Sequence, residues 1–561
     1  MTCKERILSN DYADVIIDFM LPEEALEGQG IDYCFRSIND EFGVVYANRQ
    51  ELPAISVGSY NYYSIPKLYG LMQTFQAENL VEMGNLRVQA PPLSLQGRGV
   101  IIGFIDTGIR YNLDYFKNEE GGSRILSIWD QTIQTGEPPE NFLYGTEYTR
   151  EDINRALQSD DPFSIVPSND VNGHGTAMAS AAAGSILNQG LTFRGTAPQA
   201  DIAVVKLKGA KDYLRQYYLV ADGADAYQEN DIMEAVRYLE RMAIESQRPV
   251  VIVLGIGTNM GDHAGTSPLA SYLNEIAIKR SRAVIVCGGN EGDKEHHYTA
   301  VVPKQVEMRV EENTRGFSME LWGNRVDIYS VVIRTPGGEM TFTIDFRNGM
   351  DNNHNFLFDR TKIYTGLTLV EKRSGNQLIY FRFENPTPGI WTIMVTPARQ
   401  ESIQGAGRFH LWLPITAFID GGVSFLEPSP DVTLTEPSNA GHVITVSAYN
   451  GLNGSWFTES GRGFTSSGSI KPDLAVPGVQ VSTALGARTG SSLAAALCAG
   501  CVAQYMQWAI VEGYAPYSES RIVKSLFIRG AVRENNITYP DARWGFGKLS
   551  ISGTFEVLAR T

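Results

Sequence analysis

Runs of consecutive apolar residues alternate with helical patterns between residues 78 and 295, and this alternation constrains the fold more than any other feature. The apolar runs are VIIGFID (100–106), DIAVVKL (201–207), PVVIVLGIG (249–257) and AVIVCGG (283–289). DIMEAVRYLERMAIES (231–246) is typical of the helical patterns between them. Continuously apolar strands that alternate with helices predict a parallel sheet with helices on both faces. We therefore expect an α/β fold in this part of the chain.

The pattern changes between residues 296 and 429. Short alternating segments such as VEMRV, SMELWG and FHLWLPI are separated by turn signals such as TPGG and RSGN. This combination predicts an antiparallel β-sandwich or jelly roll. Because the α/β pattern then returns, we predict an all-β domain inserted into one α/β domain built from 78–295 and 430–561. Residues 1–77, which are mixed and rich in aromatic side chains, form a third region.

Charge and cysteine content narrow the possible partners. The formal net charge of −16 argues against nucleic acid and anionic membranes, because binding phosphate requires a basic surface. The five cysteines are odd in number and sparse, which argues against a disulfide framework. Cys498 and Cys501 lie in an apolar segment of small residues, where we expect buried thiols.

Two apolar segments of the chain could be mistaken for a signal peptide or a membrane span, and neither has the required pattern. The first twenty residues carry acidic side chains within their only apolar stretch, which is not the pattern of a signal peptide. The most apolar segment, 491–511, contains Gln504 and Gln507 and is expected to be a buried helix. These features predict a protein that is cytoplasmic, or located in a compartment derived from the cytoplasm.

The first candidate catalytic residue is Asp106, which ends the strand IGFIDTG (102–108). Functional groups in α/β sheets gather at the carboxyl ends of strands. The residue has two other interpretations: it caps the turn, or it belongs to an aspartic protease, which uses the same Asp-Thr-Gly tripeptide. Aspartic proteases need two aspartates that share a proton, and this chain has only one Asp-Thr-Gly.

Three further candidates follow in other segments. His174 lies in NGHGTAMASAAAGS (172–185), where glycines allow close backbone approach before a helix of small residues. Ser492 lies in RTGSSLAAALCAG (488–500), at the start of a predicted helix whose free N–H groups suit a developing oxyanion, although Ser491 or Ser492 could equally be an N-cap. Asn290 follows a strand and a Gly-Gly turn in AVIVCGGNEGD (283–293), where its amide could donate to the same oxyanion.

Together these segments resemble the subtilisin family of serine proteases. IDTG, NGHGTAMAS, GGNEG and GSSLAAALCAG match the family motifs, and the order Asp, His, Ser is the family's order. The resemblance implies a protease in which Asp106 orients His174, His174 takes the proton of Ser492, and Asn290 stabilises the oxyanion. Two positions differ from the usual family residues: Ser491 stands where threonine is usual, and Ala496 stands where proline is usual.

The resemblance also assigns a substrate-binding edge. It implies that a substrate strand pairs with Leu254, Gly255, Ile256 and Gly257, with the opposite edge near 226–230. Calcium is compatible with the family's loop at 187–193, where Gln189 would be the side-chain ligand, but no cofactor is expected to be required. Glu295, His296 and His297 lack metal-ligand spacing and are expected to lie in a solvated loop.

The inserted all-β domain resembles that of the clostridial Csp-type germination proteases. This resemblance implies a jelly roll in the insert, a small α+β prodomain at 1–77 that stays bound as an inhibitor, and limited cleavage of a protein precursor in spore germination. It implies a cytoplasmic or spore-associated location. We expect self-cleavage within 70–78, with Gln73 or Gln76 before the cut. The alternative is a pseudoprotease that acts as a sensing or binding protein, and the intact candidate residues argue against it.

Overall fold

The computed structural model describes residues 1–18, 30–72, 94–188 and 191–560. The N-terminal region contains α1 (Cys3–Leu8), β1 (Tyr12–Asp18), β2 (Tyr33–Ser37), β3 (Phe42–Asn48) and β4 (Leu68–Leu71). The first three strands form an antiparallel sheet in the order β1-β3-β2. A disulfide between Cys3 and Cys34 joins α1 to β2, which the argument from cysteine density did not anticipate. Cysteine density says nothing about two thiols that the fold brings together.

The α/β region has the predicted alternation of strands and helices. Its first part contains β5 (Ile101–Asp106), β6 (Ile125–Asp130), β7 (Thr146–Thr149), α2 (Arg150–Leu157), α3 (His174–Ala183), β8 (Ser185–Asn188), β9 (Leu191–Arg194), β10 (Asp201–Lys206), α4 (Asp212–Tyr218), β11 (Tyr227–Gln228), α5 (Glu229–Glu245), β12 (Val250–Leu254), β13 (Ile256–Gly257), α6 (Pro268–Ala277) and β14 (Arg282–Cys287). The insert follows β14.

The insert is an all-β sandwich, as its alternating pattern predicts. Its strands are β15 (His297–Val301), β16 (Lys304–Val310), β17 (Gly316–Trp322), β18 (Tyr329–Arg334), β19 (Asp351–Asn355), β20 (Lys362–Thr368), β21 (Leu378–Glu384), β22 (Gly389–Pro397), β23 (Arg408–Trp412) and β24 (Val423–Phe425). They form two sheets, β15-β23-β17-β21-β20-β19 and β18-β22-β16-β24. Phe317, Phe381 and Trp391 are among the fully buried side chains of its core.

The chain then returns to the α/β region with β25 (Ile444–Tyr449), β26 (Leu474–Pro477), β27 (Val481–Thr483), β28 (Gly486–Arg488), α7 (Ser491–Met506), α8 (Ser520–Gly530) and α9 (Ile551–Arg560). The main sheet has eight strands in the order β26-β25-β14-β12-β5-β10-β6-β7. All neighbours in it are parallel except β6 and β7. Because β14 pairs with β25, the insert leaves and re-enters the sheet between two adjacent strands.

Helix α7 is the central helix of the α/β region. Every residue from Ser491 to Met506 is buried, including the free thiols of Cys498 and Cys501, as expected. The helix continues as a π-helical turn over Gln507–Val511. By length and composition the segment Ser491–Val511 could cross a membrane, but 78% of its most apolar window is buried inside the protein. Its apolar character is therefore accounted for by the core.

Candidate active site

Three elements of the α/β region bring Asp106, His174 and Ser492 together. Asp106 ends β5, His174 is the first residue of α3, and Ser492 lies in the first turn of α7. The Nδ1 atom of His174 lies 2.8 Å from Oδ1 and 2.9 Å from Oδ2 of Asp106. Its Nε2 atom lies 3.0 Å from Oγ of Ser492. The arrangement allows a hydroxyl proton to pass to an imidazole that a carboxylate orients.

Glycines around His174 allow this close approach. Gly173, at the start of α3, has a φ of +89°, which side chains rarely adopt. A Cβ atom at Gly175 would lie 3.1 Å from Oδ1 of Asp106 and would clash with the backbone oxygen of Gly108. Any larger residue at this position would therefore push α3 away from the carboxylate.

Asp170, which the sequence did not single out, holds the histidine loop in place. Its carboxylate is fully buried and accepts hydrogen bonds from Thr107 Oγ1 (2.8 Å), the backbone N–H of Gly173 (2.7 Å), and Thr176 N (2.8 Å) and Oγ1 (2.6 Å). Thr107 follows Asp106 directly, so Asp170 links the aspartate and histidine loops. Its place four residues before His174 is the only sequence signal, and aspartates are common in such loops.

The electrostatic surroundings of His174 suit a general base. Burial by itself would lower its pKa, because the charged imidazolium loses contact with water. The charge of Asp106 and its hydrogen bond outweigh this effect, with a smaller contribution from Asp170, and raise the pKa above its usual value. The imidazolium that forms during proton transfer is therefore stabilised.

Asn290 lies beside the serine with one donor free. Its Oδ1 accepts a 3.0 Å hydrogen bond from the backbone N–H of Ser491, which fixes the orientation of the amide. Its Nδ2 is buried and has no hydrogen-bond partner among the residues that the structure describes. Because buried N–H groups are nearly always satisfied, an unpaired amide next to Ser492 points to a ligand oxygen.

The strand β4 of the N-terminal region occupies the cleft beside these residues. It pairs antiparallel with β13 on one side, where Ile256 faces Leu71 and Gly257 faces Gly70. On its other side β4 pairs antiparallel with β11, Tyr227–Gln228. The cleft is therefore a three-stranded sheet whose middle strand comes from the N-terminal region.

The register of β4 places Met72 next to the backbone that passes against His174. The N–H of Met72 donates a 3.0 Å hydrogen bond to the carbonyl of Gly255. A Cβ atom at Gly255 would lie 2.9 Å from Cε1 of His174, so this backbone passes directly against the imidazole. Met72 is 2% exposed, and its Cε lies 3.3 Å from the Cβ position of Gly257.

Some predicted site residues lie elsewhere. Leu254 ends β12 and is fully buried in the core, so its backbone leads into the edge formed by Gly255, Ile256 and Gly257. Gln73 and Gln76, which were predicted to precede the cut, lie outside the described residues. So does Gln189, which was expected to be the calcium ligand if calcium binds. Within the described ranges, no cluster of three or more His, Cys, Asp or Glu side chains could hold a metal ion.

The segment Glu295 to His297 is not the solvated loop that its sequence predicted. His296 and His297 are 6% and 1% exposed. His296 Nδ1 lies 3.0 Å from the carboxylate of Glu291, and His297 begins β15 of the insert. Glu295 is exposed, as expected, but the expectation was wrong for the two histidines. His296 pairs with Glu291 and His297 with His410, which spacing along the chain does not reveal.

Comparisons with known proteins agree with this geometry. The subtilase family model matches residues 97–315 and 424–547, which is more than half of the chain. Subtilisin-like protease SBT3.6 of Arabidopsis thaliana is 23% identical over 426 residues, covering 69% of this chain and 51% of that protein. Subtilisin-like protease SBT3.5 of the same plant is 30% identical over 272 residues, covering 44% and 32%. The chain thus spans about half the length, or less, of the curated relatives it matches.

Among solved structures, the Clostridium perfringens CspB protease resembles most of this chain. It superimposes with a TM-score of 0.72 at 28% sequence identity. The match covers 83% of this chain and 94% of that one, so it extends well beyond the segments that the family model matches.

Proposed function

Since the chain belongs to the subtilase family, we propose that it is a serine endopeptidase whose catalytic triad is Asp106, His174 and Ser492. The observation that carries the proposal is the unbroken hydrogen-bonded line from the carboxylate through both ring nitrogens to the serine hydroxyl. A residue that merely capped a helix would not need the other two partners. The intact line also argues against a catalytically silent relative.

The proposed reaction begins when Ser492 Oγ attacks a peptide carbonyl and passes its proton to Nε2 of His174. Asp106 keeps the Nδ1–H of the imidazole oriented and stabilises the imidazolium. The negative charge on the carbonyl oxygen is stabilised by Nδ2 of Asn290 and the backbone N–H of Ser492. The imidazolium then protonates the leaving amine, and water hydrolyses the acyl-enzyme through the same base.

We further propose that the first substrate is the chain itself, cleaved between Met72 and Gln73. The support is the register: the N–H of Met72 is bonded to the carbonyl of Gly255, whose backbone passes against His174. From this register we infer that the peptide bond after Met72 is the one presented to Ser492. This register favours Met72 over Gln73 or Gln76 as the residue before the cut.

After cleavage, the N-terminal region would remain bound as an inhibitor. Besides the pairing of β4, a buried ion pair joins Asp14 to Lys211 of the α/β region at 2.5 Å. Asp14 also accepts hydrogen bonds from the side chains of Gln228 and Asn230. Release of the fragment would leave these buried groups without partners, which is costly for a buried charge.

The physiological substrate that we propose is a protein precursor cleaved at one site. The cleft is occupied by β4, which is paired along both edges, and this suits limited proteolysis better than general digestion. The similarity to the CspB protease of Clostridium perfringens over both the α/β region and the insert supports a related role, and we propose precursor maturation in spore germination.

Denaturing mass spectrometry of freshly purified protein tests this function. Wild-type protein should give two masses that correspond to a break after Met72, and Ser492→Ala should give one intact mass. Ser491→Ala is the matched control, because it removes the neighbouring hydroxyl and should still be cleaved. A single intact mass for the wild type, or cleavage of Ser492→Ala, would contradict self-processing by this triad.

A further inference from the structure

Gly70, in the middle of β4, lies under a wall that belongs to the insert. A Cβ atom added to Gly70 would lie 2.5 Å from Cδ1 of Ile415 and 3.3 Å from Cε1 of Phe418. Both distances are shorter than ordinary van der Waals contact. The neighbouring residues Tyr69 and Met72, by contrast, bury complete side chains. Gly70 is the only glycine in β4, Leu68–Leu71.

The wall is the segment Ile415–Phe418, which we call the strap. At one end, the N–H of Thr416 donates to the Glu291 carboxylate at 3.1 Å and its Oγ1 donates at 3.2 Å. Glu291 follows Asn290 directly, so this anchor lies on the catalytic side of the cleft. At the other end, the carbonyl of Phe418 accepts a 2.9 Å hydrogen bond from the N–H of Ala221.

The two anchors belong to separate segments of the α/β region. Ala221 lies between α4 and β11, and β11 is the edge that pairs with β4 on the side away from β13. Glu291 lies after β14, next to Asn290. The strap is therefore held at both ends where it packs against Gly70, whereas β11 and β13 pair with the two edges of β4.

The strap has little freedom to move away from a larger residue. Ile415 and Phe418 are each 1% exposed and belong to the large buried apolar cluster of the α/β region. The Cδ1 atom of Ile415 is the far end of a side chain, but it lies in a closely packed interior, where it has little room to shift. Forcing extra atoms into a packed core is unfavourable, and a cost of this kind slows a reaction by about tenfold or more when it is paid in the transition state.

We infer that the strap makes glycine a requirement at the substrate position that Gly70 occupies. Counted back from the cut, Met72 is the first residue and Gly70 is the third. The inference rests on the proposed protease function and names its substrate class: an extended segment with a large apolar residue directly before the cut and glycine at the third position before it. The insert thus acts as a specificity element through Ile415 and Phe418, without supplying a group to the chemical step.

Self-cleavage of the full chain is the direct test. Precursors made by cell-free synthesis would be followed by gel and mass spectrometry. Gly70→Ala should slow the break after Met72 by about tenfold, and Gly70→Leu should slow it by about a hundredfold or more. Cleavage of both variants at the wild-type rate would overturn the inference.

A rescue experiment separates a steric effect from misfolding. Ile415→Ala removes the atom that a Cβ at position 70 would meet, so the double variant Gly70→Ala with Ile415→Ala should be cleaved several-fold faster than Gly70→Ala alone. Val370→Ala, at an apolar position of the insert that is 65% exposed, is the matched control and should give no rescue. Equal rates with and without Ile415→Ala would overturn the role of the strap.

The same series distinguishes failure of the inference from failure of the proposed function. If the wild-type precursor is not cleaved and Ser492 does not react with a fluorophosphonate, both fail. If the wild type is cleaved after Met72 and position 70 tolerates leucine, the protease function stands and the glycine requirement is wrong.

Discussion

His174 and a cluster of three stacked histidines are all buried, and their surroundings differ in one decisive respect. In the catalytic centre, His174 faces the carboxylate of Asp106, and its pKa is raised despite burial. At the junction with the insert, His263, His297 and His410 stack around Trp412, at centroid distances of 4.2, 4.9 and 5.0 Å. There burial dominates, and it lowers the pKa of His263 to about 4.

This difference teaches that burial alone does not make a histidine reactive. His297 and His410 bond to each other through Nε2 and Nδ1 at 3.0 Å. Burial lowers the pKa of both rings, and the neighbouring His263 lowers each of them further. They contribute ring stacking and a hydrogen bond to the domain junction. A general base needs the opposite setting, in which an adjacent carboxylate stabilises the protonated ring.

The largest effect is expected when the carboxylate charge beside His174 is removed, since that charge is what distinguishes His174 from the stacked histidines. Asp106→Asn should lower the rate of self-cleavage by about 10⁴-fold, because the amide favours the wrong tautomer and no longer stabilises the imidazolium. Asp114→Asn, at an aspartate whose side chain is 73% exposed, is the control and should process normally. A loss of only a few-fold in Asp106→Asn would mean that His174 does not depend on its carboxylate.

The next largest effect is expected from the unpaired amide. Asn290→Ala should reduce the self-cleavage rate by about 10²–10³-fold, because it removes one donor to the developing oxyanion. Because Asn290 Oδ1 also accepts from Ser491 N, thermal unfolding of the variant should be measured beside its rate. A wild-type rate in a folded variant would show that the free Nδ2 does not face the reacting oxygen.

The catalytic centre could be predicted from sequence far better than the cleft that surrounds it. Asp106, His174 and Asn290 lie in short segments with glycines at positive φ (Gly108, Gly173 and Gly289), a conformation that other residues rarely adopt, so the motifs encode the local turns. Asp170 could not be found, because its role depends on four donors that meet only in the fold. The contact of Ile415 with Gly70 joins two domains across 345 positions of sequence, and no local pattern encodes such a contact.

A pH profile of self-cleavage sharpens the comparison through His174. The neutral imidazole is the active form, so the rate should be full above its pKa and should fall about tenfold per pH unit below it. Because Asp106 raises that pKa, the midpoint should lie above 6.5. Freshly synthesised precursor diluted into buffers between pH 5 and 9 would give the curve. A midpoint below 6.5 would show that burial outweighs the carboxylate here too.

The smallest expected effect concerns the stacked histidines. The pKa of His410 is lowered, whereas that of His174 is raised. Burial and the neighbouring His263 lower the pKa of His410 to about 3. Above pH 6.5 the ring is neutral in both the folded and the unfolded chain, so its protonation does not change the free energy of unfolding. As the pH falls from 6.5 toward 3, only the unfolded chain takes up the proton, and stability is lost at about 1.4 kcal/mol per pH unit.

Replacing this ring tests the sign directly. His410→Phe keeps an aromatic ring against Trp412 but cannot titrate, so its free energy of unfolding should fall less between pH 6.5 and 5 than that of the parent, by about 1.4 kcal/mol per pH unit. Urea unfolding in the Ser492→Ala background avoids self-digestion. Asp262 and Glu436, whose burial raises their pKa values to about 6 and about 8, favour the folded state as the pH falls. They are present in both proteins, so the difference between the two slopes reports the titration of His410 together with its effect on the bonded ring of His297. Equal slopes would mean that His410 takes up a proton in the folded protein as readily as in the unfolded chain.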